Sequence, residues 1–167
     1  VPSHFRSLQE LCIEQVGVEQ WWCDCASLSR LEIIICSELM MLNLGNSTML
    51  TGVRIEGCPE VRKLDWGINL AVGGSSSCAA MTVSFPCLKK LTLKELGKLG
   101  AWVAVGVDNP SWNQRLDIFP SLESLEIGGC PMLKSALTHF PSLSRLDIRG
   151  MNVGGWLEMM SSNVTSL

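Results

Sequence analysis

Cysteine is the residue type in this chain best suited to chemistry. Eight occur, at positions 12, 23, 25, 36, 58, 78, 87 and 130, and two of them fall in the stretch WWCDC at Trp21–Cys25. A structural zinc ion takes four ligands, usually from cysteine pairs two to four residues apart. Here C-x-C stands alone, and the only histidines are His4 and His139. Serine, histidine and aspartate are all present, but G-x-S-x-G, H-E-x-x-H and G-x-x-x-x-G-K-S/T are not. No nucleophile elbow, zinc protease or phosphate loop is signalled. The expectation is a segment that is not an enzyme and has no catalytic, metal or cofactor-binding residue of its own. His139, directly ahead of FPSL, is expected in a surface turn.

Cys36, Cys58 and Cys130 share one position of a recurring phrase, L-x-x-L-x-I/L-x-x-C/L. Its anchors are Leu8/Leu11/Ile13, Leu28/Leu31/Ile33/Cys36, Leu50/Val53/Ile55/Cys58, Leu88/Leu91/Leu93/Leu96, Leu122/Leu125/Ile127/Cys130 and Leu143/Leu146/Ile148/Met151. Successive first leucines lie 20, 22, 38, 34 and 21 residues apart. Repeats of this length mark stacked architectures, in which each unit is one small element that its neighbours must cover. The cysteines are then expected to be small buried residues whose thiols bond loop backbone weakly.

Within each unit, L-x-L alternates on a short strand, sending both apolar side chains to one face and the residues between to the other. One copy cannot bury itself, so the phrase must repeat. The expected fold is α/β: a solenoid with a concave parallel sheet of short strands and an irregular convex side of loops, turns or short helices. It is expected to form one domain over residues 1–167, with about six repeats and long loops near 62–84 and 100–118, truncated at both ends. The Gly- and Ser-rich composition of those two stretches suggests flexible excursions, a degenerate hidden repeat being the alternative. Prolines of the FPxL phrase (Pro86, Pro120, Pro141) suit turns leading into strands, and Pro59 and Pro131 mark the turns that leave them. Trp66, Trp102 and Trp156, each beyond the strand of its unit, are expected to plug the wider convex side.

The wet face of the strands is what the fold leaves free to vary, so a binding site belongs there. Its middle column reads Cys12, Glu32, Arg54, Thr92, Glu126, Asp147. The column on the N-terminal side reads Glu10, Arg30, Gly52, Lys90, Ser124, Arg145, and that on the C-terminal side Glu14, Ile34, Glu56, Lys94, Gly128, Arg149. Candidate protein-contact residues are Glu10, Glu14, Arg30, Glu32, Arg54, Glu56, Lys90, Thr92, Lys94, Glu126, Arg145, Asp147 and Arg149. Glu10 beside Arg30 and Glu32 beside Arg54 equally suit a self-satisfied ladder of surface charges. Six strands ~4.8 Å apart offer a face of about 300 Å². A partner usually covers ~800 Å² per side, so loops or further repeats would have to contribute.

Composition narrows the classes. Hydrophobic residues make up 47% of 167 and charged residues 17%, which suits a well-buried fold and not a disordered chain. A formal net charge of −3 gives no surface for phosphate neutralisation, so nucleic acid is not an expected partner. No apolar run approaches the ~20 residues of a membrane span, and VPSHFRS lacks the charged and apolar regions of a signal peptide. Two N-x-S/T triplets, at Asn46 and Asn163, are the weak contrary cue for secretion.

FPSLESLEIGGCPMLK, FPCLKKLTLKELGKLGAW and MLTGVRIEGCPEVRKL resemble the irregular leucine-rich repeats of plant intracellular immune receptors of the nucleotide-binding, leucine-rich-repeat class, particularly coiled-coil types from cereals. The resemblance runs over the whole chain. It lies in the FPxL phrase at Phe85, Phe119 and Phe140, in Cys58-Pro59 and Cys130-Pro131, in the run ending at Trp102, and in the Ser-rich insert before Phe85. Leu96 and Met151 depart from the cysteine position. The resemblance implies a sensor and restraint: contact with a pathogen effector or a guarded host protein, and intramolecular contact with a nucleotide-binding switch. ATP or ADP would belong to an upstream domain, with no cofactor in this segment, and the location would be the cytoplasm or the nucleus. The substrate-recognition repeats of an F-box ubiquitin-ligase subunit are the second resemblance, although those coils are more regular and helical. A secreted or receptor-kinase ectodomain comes third, since it would carry asparagine where these cysteines stand.

Overall fold

A computed structural model describes residues 6–23, 25–45, 47–66, 85–100, 119–133 and 140–151. Each L-x-L phrase is a five-residue strand. The six are β1 (Glu10–Glu14), β3 (Arg30–Ile34), β5 (Gly52–Glu56), β7 (Lys90–Lys94), β8 (Ser124–Gly128) and β9 (Arg145–Arg149). They form one parallel sheet in the order β1-β3-β5-β7-β8-β9, with Leu11, Leu31, Val53, Leu91, Leu125 and Leu146 aligned in one row. The apolar pair of each inner strand is buried: Leu31, Ile55, Leu91, Leu93, Leu125 and Ile127 are inaccessible to solvent. The two edge strands differ: Leu11 of β1 is half-buried, and Leu146 of β9 keeps 38% exposure.

Two hydrogen-bonded turns bound the units, and their chemistry explains the phrases on either side of the strand. In the leading turn the carbonyls of Phe85, Phe119 and Phe140 accept from the N–H of Leu88, Leu122 and Leu143 at 3.5, 3.3 and 3.4 Å. In the trailing turn the carbonyls of Cys36, Cys58, Leu96 and Cys130 accept from Leu39, Val61, Leu99 and Leu133 at 3.2–3.3 Å. Wherever proline occurs in these turns it takes the second position, whose φ it presets. Between the turn and the strand, one carbonyl of the preceding unit accepts two N–H groups. Gln9 receives Ser29 and Arg30, Ser29 receives Thr51 and Gly52, and Glu123 receives Ser144 and Arg145. The hydroxyls of Ser29, Thr51 and Ser144 donate to these same carbonyls at 2.9, 3.0 and 3.1 Å.

The opposite side departs from the expectation of loops, turns or helices. β2 (Gln20–Trp22), β4 (Met41–Asn43) and β6 (Lys63–Asp65) make a second parallel sheet in the order β2-β4-β6. Trp21, Leu42 and Leu64 align at its centre, and the last two are fully buried. Residues 62–66, expected as the start of a long loop, therefore hold a strand and the buried ring of Trp66. The rest of both expected loops, and Trp102, Trp156, His4 and His139, lie outside the described residues. No helix occurs among the described residues, so of the α/β expectation the parallel-sheet part is what the structure shows.

One buried cluster contains residues of both sheets. Trp66 meets Phe85 and Phe119 edge-on, with centroids 5.0 Å apart in both cases, and Phe119 stacks on Phe140 at 6.4 Å. Edge-to-face pairs are worth about 0.5–1.5 kcal/mol beyond their burial. This gives the aromatic of FPxL its role: it continues the core from unit to unit while its carbonyl closes the turn.

Candidate protein-contact face

The sheet register places the three columns of the wet face as the alternation predicts. Glu10, Arg30, Gly52, Lys90, Ser124 and Arg145 follow one another across the strands, and so do Cys12, Glu32, Arg54, Thr92, Glu126 and Asp147. Glu14, Ile34, Glu56, Lys94, Gly128 and Arg149 form the third. Glu10, Glu14, Arg30, Arg54, Lys90, Arg145 and Arg149 are exposed, whereas Glu32, Glu56, Lys94, Glu126 and Asp147 are half-buried.

Thr92 is the exception among the expected contact residues. It is only 4% exposed, because its short side chain lies between Arg54 and Glu126 on the flanking strands. It forms part of the lining of a shallow depression of about 250 Å³, shared with Arg30, Arg54, Lys90, Lys94 and Glu126.

The charges pair mostly along the strands. Residues two apart on one strand share a face, and Arg30 Nη2 donates to Glu32 Oε1 at 2.9 Å. Arg54 Nε donates to Glu56 Oε2 at 3.0 Å, and Arg149 grips both oxygens of Asp147 at 2.7 and 2.8 Å. The cross-strand pairs expected from sequence, Glu10 with Arg30 and Glu32 with Arg54, are neighbours in register, but each arginine has turned to the carboxylate on its own strand. One strong pair crosses strands, Lys94 to Glu126 at 2.7 Å. Hydrogen bonding to Arg149 holds the Asp147 carboxyl below its usual range, and bonding to Glu56 raises the Arg54 guanidinium. Pairs this exposed add at most ~1 kcal/mol each to stability. Lys90 and Arg145 make no ion pair among the described residues.

The cysteines of the shared repeat position behave as packing residues, whereas Cys12 is exposed. The Sγ atoms of Cys36, Cys58 and Cys130 lie 3.6, 3.5 and 3.4 Å from the carbonyl oxygens of Ile34, Glu56 and Gly128, two residues back at the strand ends. Burial pushes the Cys58 thiol up to about 11, and raises those of Cys130 and Cys23 as well. Thiols so far from ionisation are poor nucleophiles at neutral pH. In WWCDC, the tryptophans belong to β2, while Cys23 and Cys25 are buried, with Ser47 Oγ 3.2 Å from Cys23 Sγ. Among the described residues, no three His, Cys, Asp or Glu side chains gather where they could hold a metal ion. No helix there is long and apolar enough to cross a membrane.

Two site features escaped sequence reasoning. One is the depression over Gly52, whose only sequence signal is a glycine inside a strand. The other is the exposed bridge between trailing turns, where Lys98 Nζ donates to both oxygens of Glu60 at 2.7 and 2.6 Å. No family model matches the chain, and neither a curated protein nor a solved structure matches it.

Proposed function

We propose that this chain is a leucine-rich-repeat solenoid segment of a plant intracellular nucleotide-binding immune receptor, acting by protein contact in the cytoplasm or nucleus. The observation that carries the reading is the wet face of the six-stranded sheet. Three columns of residues in register, interrupted by Gly52 and Gly128, stand there on backbone that the buried leucines and paired turns fix independently of them. Such a face can change partner without changing fold. It suits recognition of a pathogen effector or guarded host protein, and a resting contact with a nucleotide-binding domain. In this reading the segment catalyses nothing; ATP or ADP is held by the upstream domain, and the repeats restrain its switch.

The F-box alternative calls for regular helical coils. The three-stranded second sheet and the uneven spacing of 20 to 38 residues favour the immune-receptor reading over it. Reading the transcript upstream of Val1 in the same frame tests the proposal. A G-x-x-x-x-G-K-S/T phrase leading into a helix-forming stretch is the expected result. An F-box-like helical segment or a signal peptide in its place would overturn the function and leave the fold untouched.

A further inference from the structure

Gly52 opens β5, yet its backbone has no need of glycine. Gly57, Gly129 and Gly150 hold φ between 62° and 67°, the left-handed region, and Gly52 is not among them. A Cβ at Gly52 would meet nothing within 4 Å. Gly128, likewise inside a strand, differs: the Lys94 Cγ lies 3.8 Å from where its Cβ would stand, as that lysine reaches across to Glu126. Glycine in a strand costs about 0.5–1 kcal/mol relative to alanine. It is found where another group must approach the backbone closely. Gly52 thus leaves open a space from which the isolated fold gains nothing.

The surroundings of that space are cationic. Arg30 and Lys90 flank Gly52 in register, one on each neighbouring strand, and Arg54 stands two residues along on the same face. The depression is lined by Arg30, Arg54, Lys90 and Lys94 against Glu32 and Glu126, a formal excess of two positive charges on a chain of net charge −3. Arg30 commits one nitrogen to Glu32, and Lys94 is held by Glu126. Among the described residues, the Lys90 ammonium makes no ion pair and the rest of the Arg30 fork has no acceptor. At about 250 Å³ the space falls below the ~300–1,000 Å³ of small-molecule pockets and suits a single side chain.

We infer that the depression over Gly52 seats an acidic side chain of a protein partner, its carboxylate gripped between Arg30 and Lys90. The inference rests on the proposed contact role of this face and adds the chemistry of what it contacts. A planar carboxylate matches the guanidinium fork, and an ammonium completes the cradle.

The test is a titration of the 15N-labelled chain at low salt with hexaglutamate and, separately, hexaglutamine, reading backbone amide shifts. Hexaglutamate should produce saturable shifts centred on Arg30, Gly52 and Lys90, with hexaglutamine at least ~3-fold weaker, as loss of an exposed ion pair worth up to ~1 kcal/mol implies. Gly52→Val fills the space and Lys90→Gln removes the ammonium. Each should weaken hexaglutamate binding by roughly 3-fold or more with no fall in the melting temperature. Shifts centred on Arg145 and Arg149, or an affinity indifferent to both variants, would overturn the seat. Should Gly52→Val fail to fold, Lys90→Gln, on an exposed side chain, decides alone, and unchanged affinity overturns the inference. None of these failures bears on the sequence upstream of Val1, so they stand apart from a failure of the proposed function.

Discussion

Immediately after each strand of the large sheet stands a residue with positive φ: Gln15, Ile35, Gly57, Glu95, Gly129 and Gly150. The left-handed turn lets its N–H extend the ladder, as when Ile35 donates to Glu56 O at 2.9 Å and Gly129 to Arg149 O at 3.0 Å. Glycine adopts this conformation freely, whereas a β-branched residue resists it at a cost of about 1–2 kcal/mol. Ile35, at φ 55° and 48% exposed, has little packing to set against that cost. Ile35→Gly should therefore raise stability by roughly 0.5–1 kcal/mol, after glycine's own entropy loss, in urea unfolding. At the same scale, Cys58 ionises near 9.0 when unfolded and at about 11 when folded. Between these values the unfolded chain has lost a proton that the native state keeps, so stability is full below pH 9 and falls as pH rises toward 11. Unfolding midpoints at pH 8 and pH 10.5 should show this decline, and Cys58→Ala should make it shallower. A flat profile in the parent chain would place the thiol in water.

At the scale of elements, the strands depend on their neighbours more than on themselves. Leu125 and Ile127 are fully buried in β8, between β7 and β9. Leu125→Asp or Ile127→Asp would place an unpaired carboxylate in a layer shared with both, and should destabilise by more than ~4 kcal/mol. A melting temperature within a few degrees of the parent would contradict the burial. The strands of this sheet were legible in the sequence because five residues show a full apolar-polar alternation, and an aliphatic pair spaced as L/V-x-I/L anchors all six. The strands of the second sheet were not, because each has only three residues, with a single central side chain, Trp21, Leu42 or Leu64, aligned in the sheet. Three residues cannot display a period, and only the sheet-to-sheet packing reveals what they are. The columns of the contact face followed from alternation and register alone. The pairing within them did not, since an arginine side chain reaches equally to its own strand and to the next, and the burial of Thr92 depends on the lengths of its neighbours.

Across the molecule, the buried faces of the strands carry stability, and the proposed function assigns recognition to the opposite faces of the same strands. The apolar row and the aromatic series Trp66, Phe85, Phe119 and Phe140 join the units from within. The charged columns outside add little to folding, being exposed or half-buried pairs. Lys90 and Arg145 make no ion pair among the described residues, so reversing their charge should leave the fold intact while changing what the face can bind. The measurement that tests this division most directly joins Lys90→Glu and Arg145→Glu in the repeats and co-expresses them with the upstream portion of the full reading frame. The account predicts that the parent repeats co-purify with that portion, and that the doubly reversed repeats lose it while melting within ~2 °C of the parent, as surface changes of small energy do. Undiminished co-purification of the reversed repeats would contradict a contact role for this face.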